Sequence, residues 1–335
     1  MSRGDASLNA ARRDRELDDL DRHGTVDVLV VGGGVTGAGV ALDAAARGLT
    51  VVLAEKHDLA HGTSRWSSKL VHGGLRYLAS GQVGIAYESA VERDILMRRT
   101  APHLVRPFPQ VVPLLAGVTR SQEAVVRAGM TAGDALRMAA RTPGTMLPAS
   151  RRLPASRTRE HVPGVRAEGL RGGLLGWDGQ LEDDARLVVG IARTAAAYGA
   201  SVLTRCEATQ VTGRGAVLRD RRGGRTVQID ARLVVNAAGV WAGQIAPDIA
   251  MRPSRGTHLV LNQDVVGAPT AGMMVPVPGS RSRFVLVLPE PDRRVYVGLT
   301  DVDAPGEIPD VPEASEAEVD FLLGVLNGGL QTPVR

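Results

Sequence analysis

The sequence predicts an α/β protein in which a parallel domain built on βαβ units is interrupted by a largely antiparallel-sheet domain. Three observations predict it. An apolar run, a glycine-rich turn, an Ala-rich helical stretch and a second apolar run follow one another within 26–55, the size of one βαβ unit. Helix and strand patterns return in alternation over 182–238. After Arg252 the pattern is mostly short strands.

Taken in order, 1–24 is polar and charged and reads as a short frayed helix or a flexible arm. The run from Val26 stops at Gly32, a helix is expected from Val35 to Arg47, and a strand from Thr50 to Ala54. Residues 85–99 read as an amphipathic helix, 110–115 as a strand and 119–141 as a basic helix. A Pro- and Arg-rich connector, expected to be exposed, follows to about Gly164. A helix over 182–198 carries acidic residues at its start, where they suit the helix dipole. A strand over 201–211, a hairpin through Arg222-Gly223-Gly224 and a strand over Arg232–Ala238 come next. Strands at 257–262, 272–277, 283–288 and 294–299 precede a final helix from Ser315 to Leu326, and no internal repeat is present.

Composition limits the function. With 335 residues, 44% hydrophobic and 23% charged, the chain can bury a substantial core, and global disorder is excluded. The single cysteine, Cys206, rules out a disulfide framework and a cysteine-cluster metal site, and reads as a buried inert thiol; no metal site is expected. No 18-residue apolar run occurs and the charged start lacks the apolar core of a signal peptide, so the expected compartment is the cytoplasm. The net charge of +4 comes almost wholly from arginine, Lys56 and Lys69 being the only lysines. Aromatics make up only 3% and do not interleave with the basic residues, so no nucleic-acid partner is expected.

The turn after the first strand reads Gly32-Gly33-Gly34-Val35-Thr36-Gly37. A Gly-x-Gly-x-x-Gly string alone is weak, but here a strand precedes it, a helix follows, and Glu55 closes the second strand about twenty residues on, the spacing of a Rossmann-like dinucleotide fingerprint. Gly32 permits the tight turn, Gly34 lets a pyrophosphate approach the helix N-terminus, and Gly37 lets helix and strand pack closely. Glu55 favours a ribose with free hydroxyls and disfavours a 2′-phosphate. The stretch from His61 to Leu78 is dense in hydroxyls and glycines and suits either a solvated loop or a cofactor running past the sheet.

That stretch carries a resemblance. Ser67-Ser68-Lys69-Leu70 with His72-Gly73-Gly74-Leu75-Arg76-Tyr77-Leu78 resembles the signature of the FAD-dependent, quinone-linked glycerol-3-phosphate dehydrogenases. Trp177-Asp178, Glu182–Leu187, Val235–Trp241, Arg255–Val260 and Gly298-Leu299-Thr300-Asp301 resemble further segments of that family, from about Asp27 to Leu326. The resemblance implies a glutathione-reductase-type, D-amino-acid-oxidase-like FAD/NAD(P)-binding domain with an interleaved antiparallel-sheet substrate domain. The expected division is a flexible arm at 1–24, a discontinuous FAD-binding domain at 25–100 and 170–250, a substrate domain at 101–169 and 251–326, and a broken end at 327–335.

It also implies FAD as cofactor and oxidation of sn-glycerol 3-phosphate to dihydroxyacetone phosphate, with hydride passing from C2 to the flavin and electrons to a quinone or another acceptor. On this reading Gly32, Gly33, Gly34, Gly37, Glu55, Thr63, Ser64, Ser68, Lys69, Ala238 and Gly239 hold the cofactor, while Arg76, Tyr77 and Thr300 face the substrate. The forked donors of Arg76 suit a phosphate. His258 is the candidate base, with a hydrogen-bonded structural histidine as the equal alternative. His72 is expected under the flavin without a catalytic role, and His57, His61 and His103 on the surface or in loops.

The basic stretch 119–141, with Arg120, Arg127, Arg137, Arg141, Met130 and Met138, is read either as a solvated helix or as a peripheral contact on the inner face of the cell membrane. A homodimer is a further expected assembly. Two departures from the family stand out: Leu299 replaces a threonine before Thr300, and the family's later segments and C-terminal helical domain are not in the sequence, which is expected to be truncated. The alternatives are a related FAD-dependent amino-acid or 2-hydroxy-acid oxidase or dehydrogenase, and an inactive truncated fragment of the fold.

Overall fold

The computed structural model describes residues 5–280 and 283–335, apart from the side chains of Arg76 and Ala79. The chain forms two compact units, each assembled from separate stretches: 1–67, 183–253 and 305–310 in the first, 68–182, 254–304 and 311–335 in the second.

The first unit is a six-stranded sheet in the order Ser201–Leu203, Val51–Ala54, Thr25–Val31, Thr226–Asn236, Gly215–Asp220, Cys206–Thr212. The first four strands are parallel neighbours and the last three form an antiparallel meander. Helices Val35–Ala46 and Asp184–Ala197 pack with Val28, Val30, Val51 and Leu53 into one core, while Leu29, Val31 and Val52 belong to another. Burial on both faces explains why these strands are continuous apolar runs instead of alternating ones. Cys206 is fully buried in the second core, and burial pushes its thiol up to about 11.

Of the two forms expected for the N-terminal stretch, a helix or a flexible arm, residues 10–23 take the first. Ala10–His23 is a helix, capped by the Asn9 side chain on the amide of Arg12 and closed by Gly24 in the left-handed conformation. Leu17 and Leu20, one helical turn apart, are buried in the second core. Arg13 is buried with them and donates to Asp220 at 2.7 Å. The low hydrophobicity of this helix hid a narrow apolar stripe.

The second unit is built on a sheet in the order His258–Asn262, Arg294–Gly298, Phe284–Pro289, Gly272–Pro276, Val105–Pro113, Gly173–Leu181, Leu70–Val71, with Arg151–Leu153 also paired to Gly173–Leu181. Every pairing is antiparallel except that of Gly272–Pro276 with Val105–Pro113. Pro107 and Pro109 fall where that strand has a partner on one side only. Helix Glu316–Gly329 contributes Leu322, Val325 and Leu326 to this core.

Several boundaries differ from expectation. Residues 68–100 and 170–182 belong with the antiparallel sheet, because Leu70–Val71 and Gly173–Leu181 are strands of it. Gly173–Leu181 was hidden by its glycines, which are required by close approach: a Cβ on Gly173 would stand 2.8 Å from Oγ1 of Thr158. The connector before Gly164 contains strand Arg151–Leu153 and helix Ala155–His161, and buries Leu147, Leu153 and Val162. The 201–211 strand is broken at Arg205, whose φ is 54°. Among the described residues no helix is long and apolar enough to cross a membrane.

Candidate functional site

In the first unit the glycine turn is set by backbone approach. Gly32 has φ 111°, and a Cβ there would lie 2.5 Å from the carbonyl oxygen of Ala237. A Cβ on Gly37 would come within 1.9 Å of the carbonyl oxygen of Gly32. Gly34 caps helix Val35–Ala46 and has no side chain to offer its amides, and the helix N-terminus carries its partial positive charge.

Glu55 is buried, and its carboxylate accepts from the amides of Gly33 and His57, each at 2.6 Å. It therefore braces the turn from the neighbouring strand. Ser64 Oγ accepts from the amide of Val35 at 2.9 Å, and Thr63 is exposed beside it in the short turn Thr63–Arg65. Ala238 donates its amide to the side chain of Asn236 at 3.2 Å, and Gly239 has φ 58°. Nine of the expected cofactor residues, the four glycines, Glu55, Thr63, Ser64, Ala238 and Gly239, thus belong to the first unit. A glycine turn that side chains would fill, a helix N-terminus that opens on glycine and a buried carboxylate at the end of the second strand fit the ADP half of a dinucleotide.

Ser68 and Lys69 belong to the second unit with His258. Ser68 Oγ lies 2.8 Å from Nε2 of His258. The imidazole rests on Gly298, where a Cβ would come within 2.5 Å of its Cδ2. Burial and the Lys69 ammonium hold His258 below the ordinary histidine value. The Lys69 Nζ stands 5.9 Å from the ring centre of Tyr296, and Lys69 itself takes a positive φ of 56°. Nearby in chain order, Glu290 is buried and accepts from Gln180 at 3.0 Å; burial pushes its carboxyl up to about 7, against the pull of Arg106 and Gln180.

The other expected residues are spread over the second unit. Thr300 is only 3% exposed, accepts from the amide of Thr257 at 2.9 Å and donates to Glu318 at 2.8 Å, so its hydroxyl is a buried, hydrogen-bonded group. The His72 ring is exposed, with Nδ1 3.0 Å from Asp178. Tyr77 is exposed on the short helix Leu75–Ala79; the side chain of Arg76 lies outside the described residues.

Sequence reasoning missed the groups that hold these residues in place. Asp184 Oδ2 accepts from the Ser67 hydroxyl at 2.7 Å, and Asp178 accepts from buried Arg93 at 2.6 Å. A Cβ on Gly73 would lie 2.2 Å from that guanidinium, which accounts for the glycine. Glu318 ties Arg255, Thr257 and Thr300 together. Asp178, Asp184 and Ser67 lie in segments already singled out by pattern; their pairing across the sequence, and the part played by Arg93, gave no signal.

A family model described as FAD dependent oxidoreductase matches residues 27–329. The chain belongs to the FAD dependent oxidoreductase family. Its cofactor is FAD, as the description of the family states. Glycerol-3-phosphate dehydrogenase 1 of Mycobacterium tuberculosis is 60% identical over 329 residues, which cover 98% of this chain and 64% of that protein. The chain thus spans less than two thirds of the length of this relative. The crystal structure of the glycerol-3-phosphate dehydrogenase from Bacillus halodurans, complexed with FAD, aligns with a TM-score of 0.71 at 27% identity, covering 97% of this chain and 56% of that one. The L-alpha-glycerophosphate oxidase of Mycoplasma pneumoniae, also with FAD bound, shares the fold at a TM-score of 0.66 and 20% identity, covering 91% and 79%.

Proposed function

We propose that this FAD dependent oxidoreductase oxidises sn-glycerol 3-phosphate to dihydroxyacetone phosphate, FAD supplying the acceptor for the C2 hydride and a quinone receiving the electrons. The observation that carries the reading is the 60% identity, along nearly the whole chain, to a protein named glycerol-3-phosphate dehydrogenase.

The chain's own residues support it. Alcohol oxidation needs a group to take the hydroxyl proton, and His258 is held neutral near pH 7 by burial and by Lys69. The contact with Ser68 orients the ring. On the sequence motif alone, Arg76 is the proposed partner of the substrate phosphate. Asp184 positions Ser67, next to Ser68 in the chain.

The purified chain is tested by recording its flavin spectrum and adding substrate without oxygen. Bleaching by glycerol 3-phosphate is the expected result. Bleaching only by an amino acid or a 2-hydroxy acid would move the chain to the alternative class, and a colourless protein would remove both.

The finer proposal is peripheral contact with anionic lipid through helix Arg120–Ala139. Val125 and Met138 are exposed on it, as are Arg120 and Arg127, whereas Met130 packs inward near Gly176. Sedimentation with anionic vesicles at low salt, lost at high salt, is expected; no sedimentation at low salt refutes it.

A further inference from the structure

We propose that His57, His61 and Asp310 form a binding site for a divalent transition-metal ion of the zinc class, a clip that fastens 305–310 to the loop following Glu55. All three residues belong to the first unit. Their ligand atoms lie within 4.8 Å of one another.

The two imidazoles stack with ring centres 4.0 Å apart and planes 19° from parallel. Each has a buried Nε2 with no hydrogen-bond partner among the described residues. Buried polar atoms are nearly always paired, so two bare imidazole nitrogens side by side call for a missing partner. Oδ2 of Asp310 is 3.7 Å from Nε2 of His57, too long for a hydrogen bond. Asp310 is itself exposed, which leaves an approach from solvent.

The surrounding backbone holds both halves of the cluster. His57 donates its amide to Glu55 and accepts at its carbonyl from the amide of Arg205 at 2.8 Å. Gly62, next to His61, packs under the Trp241 indole, where a Cβ would stand 2.9 Å from the ring. The same indole donates Nε1 to the carbonyl of Ile308 at 3.3 Å, two residues before Asp310. One side chain therefore anchors both the histidine loop and the carboxylate segment.

Two imidazoles and one carboxylate suit Zn²⁺, Co²⁺ or Ni²⁺ in preference to Mg²⁺ or Ca²⁺, and leave a position for water. Bonds of about 2.0–2.1 Å place tetrahedral ligand atoms about 3.4 Å apart. The three ligand atoms, within 4.8 Å of one another, would have to close toward that spacing on binding.

The test uses tag-free, FAD-loaded protein titrated with Co²⁺ and followed by equilibrium dialysis and visible absorption. One Co²⁺ per chain, displaced by Zn²⁺, is expected, with affinity falling roughly tenfold or more in His57→Gln and His61→Gln and unchanged in His103→Gln. Absence of stoichiometric binding, or equal loss in all three variants, would overturn the site. On the unaltered chain, Zn²⁺ should protect His57 and His61 from diethyl pyrocarbonate, read by peptide mass. Equal modification with and without Zn²⁺ would overturn it as well.

Discussion

Nε2 of His258 lies 2.8 Å from Oγ of Ser68, with the imidazole seated on Gly298. If this histidine takes the substrate proton, His258→Gln should lower kcat about 10²–10⁴-fold while leaving the flavin spectrum intact. Its lowered pKa has a direction that can be read in a profile. The acid limb of kcat/KM should fall below about 6.5, the ordinary histidine value. A limb at or above that value would remove His258 from the role.

Gly37 leaves no space for a side chain, since a Cβ would meet the Gly32 carbonyl oxygen at 1.9 Å, backbone against backbone. Gly37→Ala should cost at least about 1–3 kcal/mol and displace the cofactor turn. Flavin content after purification and a urea melt check it. Full flavin loading at wild-type stability would show that the turn tolerates the shift.

Glu318 is buried on the final helix. Burial alone would raise its carboxyl, but hydrogen bonds from Arg255, from the Ser315 amide and from Thr300 outweigh it and hold the group well below the usual carboxylate range. Because the folded value is depressed, the stabilisation is present above the unfolded value of about 4.3 and is lost as pH falls below it. Glu318→Gln should destabilise by about 3–5 kcal/mol at pH 7, and that gap should narrow by about 1.4 kcal/mol per pH unit below about 4.3. A gap independent of pH, in urea melts from pH 7 to 3, would contradict this account.

Leu17 is 3% exposed in the N-terminal helix. Leu17→Ala should cost about 2–5 kcal/mol, whereas Arg15→Ala on the exposed face should change stability by less than about 0.5 kcal/mol. Thermal melts of the two variants, compared side by side, decide whether this helix is part of the core.

The first unit was legible where local rules act: Gly32, Gly34, Gly37 and Glu55 carry their geometry in spacing alone. The short apolar strands after Arg252 were legible for the same reason. What escaped depends on partners far along the chain. The strand Gly173–Leu181 is interrupted by Gly176 and Gly179, and the side chains that fill the space beside them, Met130, Val71 and Val105, lie far off in the sequence. Thr300 resembled a substrate ligand by motif, yet its hydroxyl is turned to Thr257 and Glu318. The helix over residues 10–23 was obscured by its charge, because two leucines are enough to bury one face when Arg13 also finds a buried acid.

The strand that carries the cofactor turn pairs on one side with Thr226–Asn236, so Val28 meets Leu233 about two hundred residues later in the chain. At about 5–20 residues per second, a ribosome needs roughly ten seconds or more to supply that neighbour. Until then the edge of Thr25–Val31 has to wait, and the Ala237 backbone against which Gly32 turns does not yet exist. Cofactor capture during synthesis is therefore a late event, and a nascent chain released before residue 236 should emerge without flavin.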